Sequence, residues 1–205
     1  MPDMTTPPRT VFLGVTGASG APYAVRLAEK LAESGCRLTL CISDSGLEVV
    51  RHELGIAANG RDAITAAFLR MAGADAVVYH PADMAAPVSS GSAFPDAAVV
   101  CPCSLSTAAE IALGTTSTLI HRAGAVALKE RRPLVLVPRE TPLSSIHLRR
   151  LLEASEAGAA ILPAMPAFYN RPTSLQDAVD FVVGKVLSVL GFAHELYPAW
   201  GSERP

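Results

Sequence analysis

Val11-Phe12-Leu13-Gly14-Val15-Thr16-Gly17-Ala18-Ser19-Gly20 decides the reading of this chain: an apolar run, a turn with glycines at every third position, and then residues 21–33, with Val25, Leu27, Ala28, Leu31 and Ala32 at helical spacing. A short, unbroken apolar run suits a strand covered on both faces, and such strands belong to parallel sheets. Glycine lets the turn bend sharply and approach a ligand, while the N–H groups that open a helix attract phosphate. The spacing Gly14-x-x-Gly17-x-x-Gly20 differs from the G-x-G-x-x-G of dinucleotide sites, and Ser43, not a carboxylate, follows the second strand. A mononucleotide therefore fits better than NAD. A tight strand–helix turn without any ligand remains the alternative at this point.

Outward from this turn the pattern alternates. Strands are expected at 37–42, 76–79, 97–101, 134–137 and 159–162, and helices at 45–54, 63–72, 105–112, 144–157 and 175–190. Apolar strands alternating with helices predict an α/β three-layer sandwich with a mainly parallel sheet of about six strands. Segments 81–95 and 113–123 read as loops, too long for plain connectors and therefore candidates for function. Residues 1–9 read as a tail, 10–192 as one domain, and 193–205 as a C-terminal tail that could close a site.

Half of the 205 residues are hydrophobic, enough to build a core without metal or disulfide staples. A net charge of −2 gives no global field for nucleic acid or an anionic membrane. No apolar stretch approaches the ~20 residues of a membrane span, and residues 1–9 lack a signal-peptide pattern, so a cytoplasmic location is the default expectation. Cys101-Pro-Cys103 has the wrong spacing for a zinc knuckle, and Cys36 and Cys41 lie in or beside a strand. All four are expected to be buried thiols. The five histidines show no metal spacing and are read as structural or surface residues.

Ser89-Ser90-Gly91-Ser92 and Ser104-Leu105-Ser106-Thr107 are hydroxyl-rich, and the second opens a helix. There a serine could be an N-cap or a ligand contact with equal ease. Strand ends of a parallel sheet converge on one edge, where ligands bind in this architecture, and that favours contact. Arg122, Lys129, Arg131, Arg132, Arg139, Arg149 and Arg150 supply seven of 17 basic residues within 29 positions. Arg149 and Arg150 suit a solvated helix face, but Arg139-Glu140 follows a strand at its ligand-facing end, where an arginine fork suits phosphate. Tyr169 offers a phenol and a π face or is simply a packing aromatic, and Lys185 would by default face solvent.

Four segments carry a resemblance: Val15-Thr-Gly-Ala-Ser-Gly20, Val100-Cys-Pro-Cys-Ser104, Leu128-Lys-Glu-Arg-Arg-Pro-Leu-Val-Leu-Val-Pro-Arg-Glu-Thr-Pro142 and Ile161-Leu-Pro-Ala-Met-Pro-Ala-Phe-Tyr169. Together they closely resemble the UbiX-type flavin prenyltransferases. The resemblance runs from about Thr10 to Gly201. It implies a Rossmann-like (flavodoxin-like) fold with FMN between subunits, commonly of a dodecamer. It also implies transfer of a prenyl group from dimethylallyl phosphate to N5 and C6 of reduced FMN without a metal, the product then serving a UbiD-type decarboxylase. By motif, Gly17, Ala18, Ser19, Ser43, Ser104, Leu105, Ser106, Thr107 and Arg122 would contact FMN. Ser90, Gly91, Arg122, Lys129, Arg139, Glu140, Tyr169, Lys185 and Trp200 would form the prenyl-phosphate site. Ser19 and Glu53 would manage the N5 proton, Tyr169, Lys129, Arg139 and Lys185 would stabilise the departing phosphate, and Glu140 would aid proton transfer or position Arg139. Two departures stand out: Lys185 where relatives often carry arginine, and Met84 in a loop where they carry an aromatic. The rival readings are an FMN-dependent cysteine decarboxylase of the same superfamily and a non-catalytic FMN-binding subunit of a decarboxylase complex.

Overall fold

The computed structural model describes residues 9–198, so Trp200 and the last part of the expected C-terminal tail lie outside the described residues. Six strands of the described residues form one sheet: β1 (Thr10–Val15), β2 (Arg37–Ile42), β3 (Ala76–Val78), β4 (Ala97–Cys103), β5 (Leu134–Pro138) and β6 (Ala160–Ile161). Their order is β3-β2-β1-β4-β5-β6, and every neighbouring pair is parallel. The order reverses between β1 and β4. In open parallel sheets the crevice beyond the carboxyl ends of such a pair is where ligands bind.

Among the described residues, seven α-helices cover the sheet: α1 (Ala21–Glu33), α2 (Asp44–Glu53), α3 (Arg61–Ala72), α4 (Leu105–Leu113), α5 (Leu119–Lys129), α6 (Ser145–Glu156) and α7 (Leu175–Val189). Alternation along β1 divides the core. Val11, Leu13 and Val15 pack with α1, α2, α3 and α7, whereas Phe12 packs with α4, α5 and α6. Period-2 side chains facing two apolar helix layers explain why the strands read as unbroken apolar runs. Small residues let the layers approach closely. A Cβ on Gly14 would meet Ile120 of α5 at 3.1 Å, and one on Gly124 would lie 2.7 Å from Ile111 of α4.

Most expected elements appear within a residue or two of their expected ends, but two differ. Segment 113–123 is not wholly a loop: α5, which is not among the expected helices, begins at Leu119, with the Thr118 hydroxyl accepting from the His121 N–H. Its buried face of Leu119, Ile120, Ala123, Val126 and Ala127 is helical, but His121, Arg122 and Gly124 interrupt the apolar run in sequence. Within 81–95, 3-10 turns occupy Pro87–Ser89 and Gly91–Ala93, with Ala86, Val88 and Phe94 buried among the α4–α6 layer. All four cysteines are free and buried, and burial pushes the thiols up, to about 11 at Cys36 and about 12 at Cys41 and Cys103. Among the described residues, no helix is long and apolar enough to cross a membrane.

Candidate functional site

The crevice at the β1–β4 reversal is built by Thr16. Its hydroxyl donates to the Pro102 carbonyl at 2.9 Å and accepts from the Ser104 N–H at 2.7 Å, tying the two loops that leave the sheet. Beside it, a Cβ on Gly17 would strike the Ser45 side chain at 2.6 Å, so only glycine lets the β1 turn pass so close to α2. Gly20, with φ 131°, then turns the chain into α1.

The start of α1 differs from its expected role. The N–H groups of Gly20 and Ala21 both donate to Glu53 Oε2, at 2.9 and 2.8 Å, and Pro22 has no N–H. This helix start is therefore closed by a carboxylate of its own chain and is not free to take a phosphate. Burial acts to raise the Glu53 pKa. Hydrogen bonds from the Ser19 side chain and the Gly20 and Ala21 N–H groups, with the Arg139 charge, outweigh it and hold the carboxyl below its ordinary value. Arg139 reaches the same place, its Nε donating to the Ser19 carbonyl at 3.1 Å. Ser19 of the β1–α1 turn, Glu53 at the end of α2 and Arg139 just after β5 thus meet at one point. Glu140 is exposed beside them and accepts from the Thr141 N–H at 2.9 Å.

Phosphate-type donors lie at two other helix starts. Ser43 caps α2, its Oγ accepting from the Gly46 N–H at 3.0 Å and lying 3.2 Å from Ser45 Oγ. Ser104 caps α4, accepting from the Thr107 N–H at 3.2 Å, and its hydroxyl lies 3.0 Å from Ser106 Oγ and 2.9 Å from Thr107 Oγ1. Ser104 is thus an N-cap, as one of its two expected roles had it, but the cap also places three hydroxyls at a helix start whose first N–H groups lack intrahelical acceptors. That donor set, bordered by the Gly17 turn, fits a flavin mononucleotide.

A second group lies along α5. Arg122 Nε donates to the Ser89 carbonyl at 3.0 Å, and Lys129 pairs with Glu130. The Glu130 side chain packs directly on Gly91, where a Cβ would have no room. Lys129 is seven residues beyond Arg122, or about 10 Å along a helix, and lies where the chain prepares to enter β5. Arg139 leaves the far end of that strand. Within one chain the sheet thus separates Lys129, Ser90 and Gly91 from Ser19, Glu53 and Arg139.

A third group is aromatic. The Tyr169 ring meets Phe181 edge-on at 5.8 Å, and Phe181 lies 5.0 Å from Tyr197. Lys185 is exposed, but its ammonium lies over Phe181 and Tyr197 at 5.5 and 5.6 Å, so it crowns an aromatic row instead of simply facing water. A cavity of about 320 Å³ with Leu128, Arg131 and Arg132 on its lining lies by the start of β5, the end at which Lys129 stands. A cleft of about 290 Å³ adjoins Arg139 and Glu140, with Leu143, Pro163 and Met165 among its walls. Among the described residues, no group of three or more His, Cys, Asp or Glu is placed to hold a metal ion.

Sequence reasoning missed the α1 closure by Glu53, whose carboxylate comes from 33 residues away. It also missed Thr16 as the tie between the loops, where a threonine directly after a buried strand was the available signal.

A parallel α/β sheet with hydroxyl-lined helix starts at its order reversal defines a mononucleotide-binding flavoprotein, and the Flavoprotein family model matches residues 2–187. The chain belongs to the UbiX flavin prenyltransferase family. It is 45% identical over 193 residues to the flavin prenyltransferase UbiX of Halalkalibacterium halodurans, covering 94% of this chain and 93% of that one. Among solved structures it is similar to AnUbiX (PadA1) in complex with FMN and dimethylallyl pyrophosphate, with TM-score 0.84, 37% identity and coverage of 96% of this chain and 100% of that one. It is likewise similar to a dodecameric FMN-dependent UbiX-like decarboxylase from Escherichia coli O157:H7, with TM-score 0.82, 41% identity and coverage of 93% and 98%.

Proposed function

We propose that this chain transfers the dimethylallyl group of dimethylallyl phosphate to reduced FMN, releasing phosphate and prenylated FMN. The meeting of Ser19, Glu53 and Arg139 beside two hydroxyl-lined helix starts carries this reading. Ser104, Ser106 and Thr107, with the Leu105 N–H, would hold the flavin phosphate, and Ser43, Gly17 and Ala18 would border the flavin. Arg122 would approach both substrates. The reduced flavin supplies the acceptor atoms N5 and C6. Glu53, kept ionised by its hydrogen bonds, is suited to hold Ser19 oriented and to take a proton relayed from N5.

On the donor side the leaving group is anionic. Arg139, Lys129, Lys185 and Tyr169 would stabilise phosphate as its bond to carbon breaks, and preorganised charge of this kind accounts for much of a rate enhancement. Glu140 would orient Arg139 or assist proton transfer. Because the sheet separates Lys129, Ser90 and Gly91 from Arg139, a complete site needs these groups from another copy. Assembly into a homo-oligomer would supply them, and a relative of known structure is dodecameric. Trp200 would add a wall to the prenyl pocket. Cytoplasmic location and delivery of the product to a UbiD-type decarboxylase belong to the same proposal.

The test is release of inorganic phosphate from dimethylallyl phosphate under anaerobic conditions. Release that requires reduced FMN supports transfer. Bound FMN with no release would favour a flavin-binding subunit or a cysteine decarboxylase. Glu140→Gln should bind FMN normally and lose roughly 100-fold or more in rate; near-normal turnover would remove Glu140 from the mechanism.

A further inference from the structure

The turn that presents Ser43 is held from both sides by one arginine. Arg61, the first residue of α3, donates through one terminal guanidinium nitrogen to the Ile42 carbonyl at 2.6 Å and through the other to the Asp44 carboxylate. Ile42 and Asp44 flank Ser43. The hydroxyl of Ser43 caps α2 beside Ser45, and the Ser45 side chain fills the space a Cβ on Gly17 would take.

The sheet explains why a side chain is needed there. β3 follows β2 in parallel register, Leu40 opposite Val78, and the Tyr79 N–H donates to the Leu40 carbonyl at 2.9 Å. Two residues on, the Ile42 carbonyl faces the same side, because Ser43 turns its own N–H the other way, to Val15. The position due to donate is Pro81, which has no N–H. Arg61 supplies the missing donor. Its side chain is only 20% exposed, whereas Asp44 is 88% exposed, so the ion pair is wet and weak and the carbonyl bond is the one that fixes the turn.

We propose that Arg61 is a positioning residue for flavin binding, standing in for the ladder donor that Pro81 lacks and so fixing Ser43 toward the flavin. Two of its guanidinium nitrogens are committed to protein acceptors, which fits a support better than a ligand. The inference rests on the reading of Ser43 as a flavin contact.

A double-mutant cycle on FMN affinity, measured by fluorescence titration of the folded protein, tests it. Arg61→Met and Ser43→Ala should each weaken FMN binding, the first by about tenfold or more, as loss of one charged hydrogen bond predicts. The double variant should bind within about twofold of Arg61→Met, since coupled residues are not additive. Arg61→Lys, which keeps a donor, should recover most of the loss, and Arg61→Ala takes the place of Arg61→Met in the cycle if that variant does not fold. A lowered melting temperature with unchanged FMN affinity would make Arg61 merely structural, and losses that multiply would separate it from Ser43; either overturns the proposal. If wild type binds FMN and Ser43→Ala binds it equally well, the Ser43 contact fails and the inference with it. Failure of wild type to bind FMN would instead sink the flavin reading itself.

Discussion

At the scale of single residues, Glu53 shows how one carboxylate can serve both the fold and the site. It closes the start of α1 with two backbone hydrogen bonds and faces Ser19 and Arg139. Hydrogen bonds from backbone to a charged group are each worth about 1.5–3 kcal/mol, so Glu53→Gln should lower stability at neutral pH. The folded-state pKa lies below the ordinary value of 4.5, so the ionised carboxylate stabilises the fold above that value and loses its effect as pH falls through the folded pKa. Thermal melts from pH 7 to pH 3 should therefore show wild type above Glu53→Gln at neutral pH, with the gap closing in acid. A gap independent of pH would mean that Glu53 acts through packing alone.

At the scale of elements, the crossing of α4 and α5 sets the position of Arg122. Gly124 allows the approach, and its missing Cβ would lie 2.7 Å from two atoms of Ile111. Gly124→Val should overpack this crossing and cost about 1–3 kcal/mol, measurable by denaturant titration; an unchanged midpoint would show that the helices separate easily. α5 also shows what could be read from the sequence and what could not. Strand β1, helix α1 and the hydroxyl caps were legible because periodicity and capping chemistry are local. Helix α5 as a whole was not, because His121, Arg122 and Gly124 break the apolar run in sequence. The closure by Glu53 and the Arg61 support were equally hidden, since nothing local to either residue shows which backbone groups lack a partner.

At the scale of the whole molecule, the sheet order gathers Ser19, Ser43, Ser104 and Arg139 at one edge and leaves Lys129 beyond the other end of β5. The family motifs identified Lys129 and Arg139 as partners in one site, but a single copy does not bring them together. If sites are shared between copies, Lys129→Ala and Arg139→Ala proteins, each nearly inactive, should regain part of the activity when unfolded and reassembled together. Continued inactivity in mixed oligomers of confirmed composition would place each complete site within one chain.

The central claim is prenyl transfer to the flavin, and its most direct test is the mass of the flavin itself. Purified protein would be incubated without oxygen with reduced FMN and dimethylallyl phosphate, and the released flavin analysed by mass spectrometry. The account predicts a flavin heavier by one five-carbon prenyl unit, formed by wild type and strongly reduced with Glu140→Gln. Unchanged FMN recovered from a folded, flavin-loaded protein would contradict it.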